Sequence, residues 1–103
     1  MARILPATVE VGPHTYRLMR TEEADSDKQW GFTSCQRRII GFGLLCNPRE
    51  MPTTLMHELI HAVGDAYGVR LEEGQVEALS NGLVQALTSL GLLPRELELR
   101  RGS

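Results

Sequence analysis

No stretch of this sequence approaches the run of roughly 20 apolar residues that a membrane span requires, so no membrane association is expected. An excess of charge of one sign is also missing. A formal net charge of −2 gives no general attraction to nucleic acid, and none is expected as a partner. The opening "MARILPATVE" lacks the apolar core of a secretory signal, which makes the cytoplasm the expected compartment. Cysteine occurs only at Cys35 and Cys46, and in a leaderless chain both are expected as free thiols rather than a disulfide. With 103 residues there is room for one core and no second domain, so residues 1–103 are expected to form a single domain. The 42% hydrophobic and 23% charged fractions are those of an ordinary soluble globular protein.

What is present reads as a small α+β fold. Between Arg3 and Met19 apolar and polar residues alternate around a "GPH" turn, which predicts a pair of short strands. "EEADSDK", residues 22–28, carries five charges and no large apolar side chain, and predicts a solvated loop. "RRIIGF", residues 37–42, is a β-branched segment that predicts a third strand. A first helix is predicted over Met51 to Tyr67, with Pro52 in its first turn and Gly68 at its stop. A second is predicted from Leu71 to Leu90, ending at Gly91, with Val76, Leu79, Leu83, Leu87 and Leu90 as its core stripe. The tail "LLPRELELRRGS" fits an edge strand, a short helix or a frayed end. The expected architecture is a sheet of three or so strands packed on these two helices.

Histidine is scarce, yet two of the three fall in "HELIH", residues 57–61, within the first predicted helix. On that helix Leu55, Met56, Leu59, Ile60, Val63, Ala66 and Tyr67 gather on one side, and His57 and His61 lie nearly opposite. Side chains four apart stack about 5–6 Å apart at Cβ, so two imidazoles can converge on one ion at Zn–N distances of roughly 2.0–2.1 Å. Glu58 sits beside the pair, where its carboxylate can take a proton from a metal-activated water as that water attacks a carbonyl carbon. This is why metalloprotease chemistry uses H-E-x-x-H in that order.

A catalytic zinc takes three protein ligands and keeps an open position. Tyr67, Asp65, Glu73, Glu77 and Cys46 are the candidates for the third. The metzincin pattern is followed as far as Gly64, but Tyr67 stands at its third-ligand position and no methionine follows Met56, so that family is rejected. From His61 to Tyr67 the first helix descends about 9 Å, and a second helix starting near Glu72 climbs about 7.5 Å back by Glu77. This ranks Glu77 first and Glu73 second. Asp65 and Asn81 are possible supports for the ligands. Trp30 and Phe32 are candidates for a substrate groove, and strand 37–42 for binding a peptide by strand addition.

"TLMHELIHAVGD" followed by "EEGQVEALSNGLVQAL" resembles the gluzincin metallopeptidases, in particular the ImmA/IrrE-like proteins and their small phage and prophage relatives. In them the HExxH helix is followed by a second helix bearing E-x-x-x-N, matched here by Glu77 and Asn81. The resemblance spans residues 38–87. It implies a small α+β fold, Zn2+ held by His57, His61 and Glu77, Glu58 as general base, and a protein or peptide as substrate. The alternative expectation is a zinc-stabilised binding module without turnover, acting on a host or phage regulator; a third is a metal-free helical interaction domain.

Overall fold

The computed structural model describes residues 2–26 and 30–100. In chain order its elements are β1 (Arg3–Ile4), β2 (Thr8–Val11), β3 (His14–Arg20), α1 (Glu22–Ser26), β4 (Gly31–Ser34), β5 (Ile39–Phe42), α2 (Met51–Tyr67), α3 (Glu73–Ser89) and β6 (Leu97–Glu98). The fold is α+β. Its main sheet has the order β2-β3-β5-β4, with β3 and β5 parallel and the two outer pairs antiparallel. A two-stranded parallel pair, β1 with β6, ties the start of the chain to its end.

The β2–β3 hairpin turns through Gly12, whose φ of 57° lies in the left-handed region that glycine adopts without a Cβ penalty. A side chain there would also run into Ala66 of α2, so the turn is pressed against the helix. Asn47 Oδ1 accepts from the N–H groups of Arg49 and Glu50 just before α2, and Pro52 sits in its first turn, where its missing N–H is not needed. At the other end Gly68 takes a left-handed φ of 68° and its N–H bonds back into the last turn.

Tyr16, Leu18, Ile40 and Phe42 from the sheet, Met51, Leu55 and Ala62 from α2, and Leu97 and Leu99 from the C-terminal segment form the core. Apolar burial of this kind contributes roughly 25 cal/mol per Å², and α2, lying against the sheet, holds much of it. No helix among the described residues is long and apolar enough to cross a membrane. Both cysteines are free, Cys46 buried and Cys35 half-buried.

Four expectations need correction. Residues 22–26 form a helical turn rather than a loop, because Ala24 is buried and anchors it; residues 27 and 28 lie outside the described set. "GFTS" is a strand the alternation did not reveal, since four residues give too short a pattern. Strand β5 lies between β3 and β4, so both its edges are already paired and it cannot receive a peptide strand. The stripe on α3 is not core: Val76 is buried, but Leu79 and Leu83 remain 47% and 42% exposed, because α3 packs on α2 rather than under the sheet.

Candidate metal centre

Residue 57 is followed one helical turn later by residue 61, and the two rings lie 5.1 Å apart between centroids. Glu73, the first residue of α3, reaches both. Its Oε1 is 2.8 Å from His57 Nε2 and its Oε2 is 3.4 Å from His61 Nε2. Among the described residues, these three are the histidine, cysteine and acidic side chains whose ligand atoms gather within 4.8 Å of one another, and the group could hold a metal ion. Donor atoms bound tetrahedrally at 2.0–2.1 Å stand roughly 3.3 Å apart, so the observed spacings need only small adjustments around an ion.

Glu73 takes this place because of how the chain returns from α2. The Val69 N–H bonds to Gly64 O at 2.8 Å, and a Cβ on Gly64 would lie 3.5 Å from Leu71 Cδ1. Residue 71 has thus already climbed back one turn of α2. Extended residues rise about 3.3 Å each against 1.5 Å in a helix, so the non-helical residues 69–72 do the climbing that a helix from Glu72 would have left to residues 73–77. A reciprocal cap between Glu72 and Gln75 then fixes the start of α3 at Glu73. That E-x-x-Q spacing was the signal in the sequence for the later helix start. Glu77, ranked first from the sequence, lines the same cleft one turn further along α3 but does not join the three-residue group.

The cleft has a volume of about 660 Å³ and is walled by α2, by the start of α3 and by β4, with Trp30, Phe32, Thr33 and Cys35 on the strand side. Strand β4 is the edge of the sheet among the described residues. Trp30 O accepts from the Gly43 N–H at 2.9 Å, and in an antiparallel ladder inward and outward residues alternate. The backbone groups of Gly31 and Thr33 therefore point away from β5 along the outer edge. Trp30 and Phe32 do line the cleft, as the sequence suggested, and Trp30 is substantially exposed.

Glu58 lies beside the histidines and is only 7% exposed. Burial pushes its carboxyl above the usual range; the Thr33 hydroxyl and then the neighbouring imidazoles oppose that rise, and the Glu73 carboxylate adds to it. Thr33 Oγ1 lies 2.9 Å from Glu58 Oε1. A buried carboxylate next to a cluster of potential metal ligands is the arrangement a general base needs.

Asp65, Asn81, Cys46 and Tyr67 do not line this cleft. Comparison with protein families, curated proteins and solved structures finds no match for the chain.

Proposed function

We propose that this chain is a zinc-dependent peptide hydrolase, with His57, His61 and Glu73 as ligands and Glu58 as general base. The observation that supports it most is the convergence of three donor side chains on one cleft, with a buried carboxylate one residue from the first of them. Two imidazoles and one carboxylate make a donor set suited to zinc with an open fourth position. The resemblance of residues 38–87 to gluzincins of the ImmA/IrrE-like kind agrees with a third ligand carried on the helix after HExxH, here Glu73 in place of the Glu77 expected from the motif.

Zinc bound there would polarise the scissile carbonyl and acidify water. Glu58 would take the proton from the attacking water and return it to the leaving amine. The outward N–H and C=O groups of Gly31 and Thr33 would hold an extended peptide along β4, beside Glu58, by strand addition. Trp30 would cover an apolar side chain of that peptide.

Elemental analysis tests the site. After dialysis against a mild chelator, wild type, Glu58→Gln and Glu77→Ala are expected to keep about one zinc per chain, and Glu73→Ala to lose it. Zinc lost from Glu77→Ala but kept by Glu73→Ala would return the third ligand to Glu77. Cleavage of internally quenched peptides by wild type, abolished in zinc-loaded Glu58→Gln, would support hydrolysis.

A second reading has an observation of its own. Along α3 only Val76 and Ser80 are buried, so an ion bridging α2 and α3 would serve to pin the second helix. In that zinc-stabilised binding module Glu58→Gln would leave biological effect intact, whereas the hydrolase loses it.

A further inference from the structure

Residues two apart on a strand face the same way, and Gly31 and Thr33 of β4 both face α2. A Cβ on Gly31 would lie 3.5 Å from Glu58 Cγ, so the stem of Glu58 lies over the bare glycine. Its carboxylate then reaches Thr33. The Thr33 hydroxyl is 2.9 Å from Oε1 and also 2.9 Å from the Glu58 backbone oxygen. One hydroxyl has one hydrogen to give, and the backbone oxygen sits inside α2, where the helix already supplies it with a donor. The carboxylate is the acceptor in greater need: among the described residues Thr33 is its one hydrogen-bond donor. Its other oxygen is not sealed off: among the described residues, the fully buried side-chain oxygen without a partner is Tyr16 Oη.

From this geometry we infer that Thr33 is a positioning residue for Glu58, fixing one carboxylate oxygen so that the other is presented to the cleft. The inference rests on the hydrolase reading. It assigns two separable tasks to one residue: the backbone of Thr33 faces the outer edge where a peptide would pair, and its side chain orients the base. Deleting the hydroxyl should therefore change turnover and leave peptide binding alone.

The test uses Thr33→Val, which keeps the branched shape, Thr33→Ser, which keeps the hydroxyl, and Thr33→Ala, a second deletion should valine crowd the strand. Each is loaded with zinc and assayed on internally quenched peptides that wild type cleaves. Thr33→Val and Thr33→Ala are expected to lose at least about tenfold in kcat, the size of a lost hydrogen bond to a charged group, with KM within about twofold. Thr33→Ser should recover most of the loss. Zinc content should be equal throughout, and crystal structures should show the Glu58 carboxylate in one orientation in wild type and Thr33→Ser but released in Thr33→Val. Unchanged kcat in both deletion variants, or a Thr33→Ser loss equal to that of Thr33→Val, overturns the inference while the hydrolase reading stands. A zinc-loaded wild type that cleaves no peptide overturns the hydrolase reading and this inference with it.

Discussion

Helices α2 and α3 have the same length, 17 residues, and opposite ways of being held. Met51, Pro52, Thr54, Leu55, Glu58, Ala62 and Gly64 are buried along α2, which lies against the sheet, whereas α3 buries only Val76 and Ser80. The first helix is placed by the core. The second is placed by its turn, by the capping box at its start and by the contacts of Glu73 with two histidines. A metal centre built across this pair would join a helix seated on the sheet to one that packs on that helix. Metal-binding free energy would then add to what holds α3 in place.

The largest expected effect comes from cutting that join. Glu73→Ala should weaken zinc binding by more than the 10–100-fold that loss of an outer-shell partner costs, and peptide cleavage should vanish with the metal. Competition with a chromogenic chelator measures the affinity. An affinity within a few-fold of wild type would show that α3 is not tied to α2 through Glu73. Next in size is a disturbance of the α2 seat. A Cβ on Gly31 would lie 2.6 Å from Thr54 Cγ2 and 2.8 Å from the backbone oxygen of Gly41, and the backbone atom cannot swing away. Gly31→Ala should therefore cost about 1–3 kcal/mol in urea unfolding, the range for overpacked sites. A neutral result would mean that β4 and α2 are not in firm contact.

The same contrast explains how much could be read from the residues alone. Local chemistry marks the ends of α2, with Pro52 near its start and Gly68 at its stop, but not its buried face. Of the apolar set Leu55, Met56, Leu59, Ile60, Val63, Ala66 and Tyr67 only Leu55 is buried, Val63 and Tyr67 stay exposed, and Thr54, Glu58 and Ala62 lie inward instead. Leu79 and Leu83 on α3 likewise stay exposed, because periodicity reports which side is apolar and not whether anything lies against it. His57, His61 and Glu58 were legible because their relation is set within one helix. The side chain that gathers with the two histidines was not. Its place depends on how far the chain climbs between helices, and with residues 71–72 non-helical it is Glu73, one turn before Glu77, that reaches the pair. Strand β4, whose Thr33 meets Glu58, escaped notice because one apolar residue among four gives no alternation to follow.

Removing the metal without mutation sharpens the comparison at a smaller scale. Helices with few buried contacts open locally at low free energy. Chelation should raise amide hydrogen exchange along α3 by about tenfold while residues of α2 that face the core, such as Leu55 and Ala62, stay protected. Equal acceleration in both helices would make the pair one cooperative unit and remove the distinction drawn above.

The smallest effect tests the approach to α2. Arg20, at the end of β3, donates to Gly43 O at 2.8 Å and Cys46 O at 2.9 Å, and pairs with Glu98 of β6 at 2.7 Å. It fastens the segment leading into α2 to the last strand. The hydrogen bond from Arg20 holds the Glu98 carboxyl below its ordinary value despite partial burial. The pair's contribution is therefore full above the unfolded carboxylate value of about 4.3 and is lost as pH falls through the lower folded value. With side chains 23% and 35% exposed, it should supply about 0.5–1 kcal/mol at neutral pH. Glu98→Gln should be destabilised by that amount at pH 7, and its deficit against wild type should shrink toward zero as the pH is lowered from 5 to 3. Urea unfolding at several pH values reads the deficit, and hydrogen exchange locates it. Loosening at residues 43–51 with α3 unchanged is the expected pattern, because Arg20 has no bond to the second helix; loosening that reached α3 would mean that α3 depends on the seat of α2 rather than on its own turn and ligands.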